Sequence, residues 1–143
     1  MITIYLAGPI NNCTDTECKN WREMARLYFE SEDVTDEIGR VRILDPMRRD
    51  YRGREMDAGV RHLIVKGDKT DIRQADILLV YSPKPSYGTI MEFYDAYVYQ
   101  NKWVVIVNAD EFASPWLDEH CDYRLPTFQE AFEKIKFIIK EMQ

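Results

Sequence analysis

Glu92 has the setting in this chain that most invites chemistry. A turn-rich loop, Ser82 to Gly88 (SPKPSYG), leads into Gly88-Thr89, which opens a helix, and the pattern puts Glu92 in its first turn. A helix N-terminus carries partial positive charge, which favours an ionised carboxylate. Such a carboxylate could attack an electron-poor sugar carbon. Glycosidic cleavage passes through an oxocarbenium-like transition state and needs one carboxylate at the anomeric carbon and one acid at the leaving group. Asp68 and Asp71, ahead of the apolar run Asp76 to Tyr81, are candidates for the second role. Plainer readings stand beside these. Glu92 could simply stabilise its helix, Asp68 and Asp71 could be solvated helix-flanking charge, and Tyr5 could be core.

The elements that must position these side chains are strands alternating with helices. Ile2 to Ala7 (ITIYLA) is a short β-branched run closed by Gly8-Pro9, and reads as a buried strand. Thr14 and Glu17 have capping-box spacing, and Trp21, Met24, Ala25, Tyr28 and Phe29 repeat at helical intervals. Val41 to Leu44 is a second strand stopped by Asp45-Pro46, and Met47 to Gly53 is a basic loop. Arg54 to Lys66 predicts a helix with Met56, Val60, Leu63 and Ile64 on one side, and Thr70 to Ala75 one or two further turns. Asp76 to Tyr81 (DILLVY) is apolar enough to be covered on both faces, as in a parallel sheet. Thr89 to Gln100 predicts a helix with Ile90, Phe93, Tyr94 and Tyr97 inward. Trp103 to Val107 is a strand, Asn108 to Asp122 a long loop, and Tyr123 to Leu125 a short last strand. Thr127 and Glu130 cap a final helix whose stripe is Phe128, Ala131, Phe132, Ile135, Ile138 and Ile139.

This alternation predicts an α/β fold: a doubly wound, parallel, five-stranded sheet of flavodoxin-like order 2-1-3-4-5, in one domain spanning residues 1–143. Ligands of such sheets bind beyond the carboxyl ends of the strands, at the switch in strand order. Two loops meet there, Ala7 to Cys13 and Ser82 to Glu92. In the first, Gly8 permits close backbone approach to a ligand. The loop is neither a dinucleotide fingerprint nor a phosphate-binding P-loop.

Composition excludes several classes of function. The net charge of −6 argues against a long nucleic acid as partner, though not against a single nucleoside or nucleotide. No apolar run approaches the ~20 residues that span a bilayer, and no signal peptide precedes the first strand. The expectation is a soluble cytoplasmic protein with no membrane partner. Cys13, Cys18 and Cys121 form no disulfide framework, and the Cys13/Cys18 pair lacks further ligands nearby. His62 and His120 match neither a triad nor a zinc motif. No metal and no cofactor are implied.

The chain resembles the nucleoside 2-deoxyribosyltransferase family, which includes deoxynucleoside 5′-monophosphate N-glycosidases. The similarity rests on IYLAGP at Ile4 to Pro9, DPMR at Asp45 to Arg48 and ADILLVYSPKPSYGTIMEF at Ala75 to Phe93, and extends over roughly Ile2 to Val107. The resemblance implies that the glutamate of G-T-x-x-E, here Glu92, is the nucleophile. It implies that Asp68, eight residues before Asp76, handles the proton at the base, and that Tyr5 lies near the nucleophile. Gly8 and Pro9 would line the site, and Ser86 and Gly88 would meet the 5′ side of the sugar. Asp71 and Asn108 join the candidate substrate contacts. Double displacement follows, with net retention and ping-pong kinetics.

One departure divides the family's two activities. Six residues before the nucleophile, free-nucleoside transferases often carry an acid for the 5′-hydroxyl, and here Ser86 stands there. Monophosphate hydrolases use serine at that place but add an arginine in the first loop, where this chain has Asn11 and Asn12. Arg48 and Arg49 are a second possible source of positive charge. The expected partners are a nucleoside or nucleotide, a free nucleobase and, by family analogy, further copies of the chain. A non-catalytic nucleotide sensor on the same fold is the reading from another class.

Overall fold

The computed structural model describes residues 1–143. Five strands form one all-parallel sheet of order β2-β1-β3-β4-β5, as the alternation of elements predicts. They are β1 (Thr3–Ala7), β2 (Arg42–Leu44), β3 (Ile77–Tyr81), β4 (Trp103–Val107) and β5 (Tyr123–Leu125). The central register sets Tyr5 opposite Leu78 and Ala7 opposite Val80.

Side chains alternate across the sheet, so two cores form. Ile4, Leu6, Ile77, Leu79, Val105 and Val107 face α1 (Asp15–Glu30), α2 (Glu32–Ile38) and α6 (Phe128–Met142). Tyr5, Ala7, Leu78, Val80, Val104 and Ile106 face α3 (Val60–Gln74) and α4 (Tyr87–Val98). Burying one such aliphatic side chain is worth ~1.5–3 kcal/mol before chain entropy is charged against it. The first core is closed by aromatic packing: Tyr28 stacks on Phe132 at 4.7 Å and Trp21 on Phe128 at 5.8 Å.

Local chemistry sets the helix starts. Thr14 and Glu17 form a reciprocal capping box at α1, with backbone-to-side-chain bonds of 3.1 and 3.2 Å. Thr127 accepts from the Glu130 N–H at α6. No helix is long and apolar enough to cross a membrane.

The structure corrects several element boundaries. The expected helix at Arg54 to Lys66 and the turns at Thr70 to Ala75 are one helix, α3, starting at Val60. Gly59, at φ 81°, occupies the left-handed region and keeps residues 54–59 out of the helix. Gly67 does not break α3 and has a use there. A Cβ at that position would lie 2.9 Å from the Arg49 guanidinium, so the glycine lets Arg49 lie against the helix. Asp68 and Asp71 are therefore inside α3 rather than flanking a helix. Helix α4 begins at Tyr87, two residues before the expected start, so Glu92 lies in its second turn. α2 and the short α5 (Pro115–Glu119) had no signal strong enough to be read. Met24, Met56, Leu63 and Ile90, read as inward, are exposed.

Candidate active site

The cavity lies where the strand order predicts, past the carboxyl ends of β1 and β3. It encloses about 120 Å³. The loop after β1 contributes Gly8, Ile10 and Asn11, and the segment after β2 contributes Arg49, Tyr51, Arg52 and Glu55. α3 contributes Ile64 and Asp68, and the start of α4 contributes Ser86, Gly88, Thr89 and Glu92. Gly8 is required by packing, since a Cβ there would meet the Trp21 ring at 2.6 Å.

Glu92 and Asp68 share this cavity. Burial pushes the Glu92 carboxyl up to about 8, and the neighbouring Asp68 charge pushes the same way. Burial also raises Asp68, against the pull of Arg49, whose Nη2 donates to Asp68 Oδ1 at 3.3 Å. This corrects the expectation that the helix N-terminus holds Glu92 ionised. From the second turn the dipole is weak, whereas desolvation and a like charge act directly. The two carboxyls therefore hold one proton between them well into the neutral range.

Tyr5, on β1, is fully buried, and burial together with Glu92 and Asp68 raises its phenol well above the ordinary value. As a donor its hydroxyl opposes the rise at both acids. The geometry falls short of a regular hydrogen bond, and Tyr5 Oη and Glu92 Oε2 are both buried without a partner. Such atoms are uncommon in folded proteins, and a catalytic role is one of the few reasons for them.

The remaining predicted residues divide. Gly8, Ser86 and Gly88 line the cavity. Pro9 is buried and borders an adjacent shallow groove with Ser86 and Gly88. Asp71 does not line the cavity. Its carboxylate is clamped by Arg48 Nη2, 2.7 Å from each oxygen, and by Arg49 Nη2 at 2.9 Å. Burial pushes Asp71 upward, but the two guanidiniums outweigh it and hold it below the usual carboxylate range. Asn108 also lies apart. It donates to the Ser82 carbonyl at 2.7 Å and accepts from the Asp110 N–H at 2.8 Å, bracing its loop.

Arg22, Arg49, Tyr51 and Arg52 were missed or left unplaced by the reading of sequence. A signal existed for three of them: DPMRRDYRGRE concentrates arginines just after a strand's carboxyl end, which in a doubly wound sheet is the ligand edge. Nothing marked Arg22.

A second, apolar hollow of about 400 Å³ lies between α3 and α4, bounded by Val65, Ile72, Ile90, Met91, Tyr94 and Tyr99. It shares Asp68, Gly88 and Glu92 with the first cavity, so the two acids form the partition.

Among solved structures, the fold is similar to that of a 2-deoxyribosyltransferase from Bacillus psychrosaccharolyticus. The TM-score is 0.63 at 18% identity, over 91% of this chain and 90% of that one. A conserved protein from Enterococcus faecalis V583 superposes with TM-score 0.65 at 16% identity, over 100% and 99% of the two chains. A Burkholderia pseudomallei K96243 protein described as related to pilus assembly gives 0.54 at 17%, over 99% and 90%. No family model and no curated protein sequence matches the chain. At these identities the likeness is one of fold.

Proposed function

We propose that this protein is a nucleoside 2-deoxyribosyltransferase, with Glu92 as nucleophile and Asp68 as proton donor and acceptor at the base. The observation that carries this reading is the pair of half-buried carboxyls, one with a fully buried oxygen, that line one cavity at the switch point. A site that breaks an N-glycosidic bond needs one ionised and one protonated acid at once, and two close carboxyls sharing a proton provide that state.

In the first half-reaction a Glu92 oxygen bonds to C1′. The C1′–N bond breaks, and the Asp68 proton passes to the departing base. In the second, a nitrogen of the incoming base attacks C1′, the ester to Glu92 breaks and the base's proton returns to Asp68. The positive charge developing on the sugar favours ionised Glu92, against the burial and the Asp68 charge that disfavour it. The Tyr5 hydroxyl is placed to donate to the carboxylate formed at that moment. Assembly into a homo-oligomer belongs to the same reading.

The test is incubation with deoxyadenosine and cytosine, following deoxycytidine by chromatography. A 2-fluoro nucleoside should leave a sugar ester on Glu92, read by mass spectrometry of the digested protein. No exchange product and no adduct would remove the proposal.

Hydrolysis of deoxynucleoside 5′-monophosphates is the second reading. It is favoured by Arg49 and Arg52, which line the same cavity as Ser86. Both guanidiniums already face carboxylates, Arg49 those of Asp68 and Asp71, Arg52 those of Asp15 and Asp50. Release of free sugar phosphate from a 5′-monophosphate, without new nucleoside when a second base is present, would select it.

A further inference from the structure

We infer that Arg22 is a positioning residue for Glu92 and Asp68: from α1, one buried guanidinium ties together two segments that line the cavity, the loop after β1 and the turn after β2. This rests on the proposed role of the two acids.

Arg22 is 1% exposed, in the second turn of α1. Its Nη1 donates to the Cys18 carbonyl at 2.7 Å, which anchors the head to its own helix. Its Nη2 donates at 3.0 Å to the carbonyl of Gly8, a residue that lines the cavity. Its Nε stands 3.3 Å from Asp45 Oδ1. That oxygen also accepts from the Met47 N–H at 2.8 Å and caps the 3₁₀ turn Pro46–Arg49. The same turn carries Arg49, which binds both Asp68 and Asp71. A line of contacts thus runs from Arg22 through Asp45 and the turn to the proposed proton donor, and a shorter one runs through Gly8 to the cavity itself.

The guanidinium lies 4.5 Å over the Trp21 ring, and its Nε makes no regular hydrogen bond. Burying a cation costs several kcal/mol unless its partners are excellent, and this one has a single carboxylate, itself partly exposed. A purely structural role would be served more cheaply by an apolar side chain. Placed here, the charge acts on Glu92, whose pKa it opposes raising.

Other charges also bear on Glu92. Tyr5 faces it from β1 and Asp68 and Asp71 from α3. Arg49, Arg52 and Glu55 complete the charged lining from the segment after β2. Among the largest influences on Glu92, Arg22 is the only cation, so its removal should be visible in the titration of that one residue.

The experiment compares wild type with Arg22→Gln, which keeps one amide donor but loses the charge, and Arg22→Lys, which keeps the charge but loses the fork. Protein labelled with ¹³C at glutamate carboxyls is titrated by NMR, and the Glu92 resonance is assigned by its absence in Glu92→Gln. Arg22→Gln should raise the Glu92 midpoint by several tenths of a pH unit, since Arg22 is one of several groups that act on that carboxyl. Arg22→Lys should leave the midpoint near that of wild type while raising KM for the nucleoside several-fold, because the Gly8 loop loses its tie. If Arg22→Gln does not fold, Arg22→Lys decides: an unmoved midpoint together with a several-fold higher KM supports the inference, and a midpoint raised there, or an unmoved KM, overturns it. A folded Arg22→Gln with lowered melting temperature but an unmoved Glu92 midpoint reduces Arg22 to scaffolding and also overturns it. The titration needs no turnover. Wild-type protein that exchanges no bases would sink the proposed function and leave this measurement interpretable.

Discussion

Two glutamates on helices that cover opposite faces of the sheet show how one side chain is turned to different ends. Glu37, near the end of α2, pairs with Lys136 at 2.7 Å and with Lys140, both on α6. The two lysines hold its carboxyl down at about 2. Glu92 is pushed up to about 8 by burial and by Asp68. The first carboxylate is solvated and satisfied, and its chemistry is spent on holding two helices together. The second has a buried oxygen without a partner, beside an equally unpaired tyrosine hydroxyl. All four buried side-chain atoms without partners, on Tyr5, Trp21, Arg22 and Glu92, cluster about the ligand edge. Elsewhere in the fold the buried side-chain nitrogens and oxygens have partners.

The sharpest way to break the contrast is Glu92→Gln. Base exchange should fall by roughly a thousandfold or more, as for loss of a nucleophile, while Glu37→Gln leaves it unchanged. Equal losses from both would mean that neither residue is special.

Asp68→Asn should cost roughly 10²–10³-fold with natural bases, the range for losing a general acid. The loss should shrink when the leaving group is activated and needs no proton. An equal loss with an activated substrate would assign Asp68 to structure instead.

The pH dependence of stability separates the two carboxylates by sign. Glu92 has a folded pKa above its unfolded value, so the folded state binds the extra proton. Its contribution is then fully present below the unfolded pKa and is lost as pH rises toward about 8. The slope is at most about 1.4 kcal/mol per pH unit. Glu37 runs the other way: its contribution is present above the ordinary glutamate pKa and lost as pH falls toward about 2. Urea melts across pH should show the alkaline loss diminish in Glu92→Gln and persist in Glu37→Gln. Activity should decline above about pH 8, where the pair gives up its shared proton.

Tyr5→Phe is a smaller perturbation. It removes a donor aimed at the carboxylate formed in turnover, and kcat should fall about tenfold, one hydrogen bond's worth to a charged group. Thermal stability should hold or rise, because the buried hydroxyl makes no regular hydrogen bond within the protein. The smallest effect belongs to Glu37→Gln, whose slight drop in melting temperature should vanish in high salt, since exposed pairs are screened.

The two regions also differ in how plainly they could be read from sequence. The Glu92 loop was legible because turn residues, a Gly-Thr helix start and an apolar strand before it mark a ligand edge. Burial of Tyr5 followed from the β-branched run around it. Asp68 and Asp71 were legible as acids near the edge but not as different from each other. Three residues apart on one helix, one lines the cavity and the other is held by two arginines. The protonation of Glu92 was read in the wrong direction, because the helix start was placed two residues late and because desolvation depends on packing by distant segments. α2 and α5 passed unread, as seven- and five-residue helices carry too few turns for a periodic signal.

Sequence alone determined the strand order and the end of the sheet at which the cavity lies. Apolar period, cap spacing and the handedness of parallel crossovers are local rules that propagate to topology. The tertiary structure alone decided which ionisable groups meet, which are neutralised and which are left without partners. Arg22, Asp45 and Gly8 are far apart along the chain and meet only once β1, α1 and β2 have packed. The electrostatics of a buried carboxyl depend on distances of a few ångströms and on excluded water, and both arise from that packing.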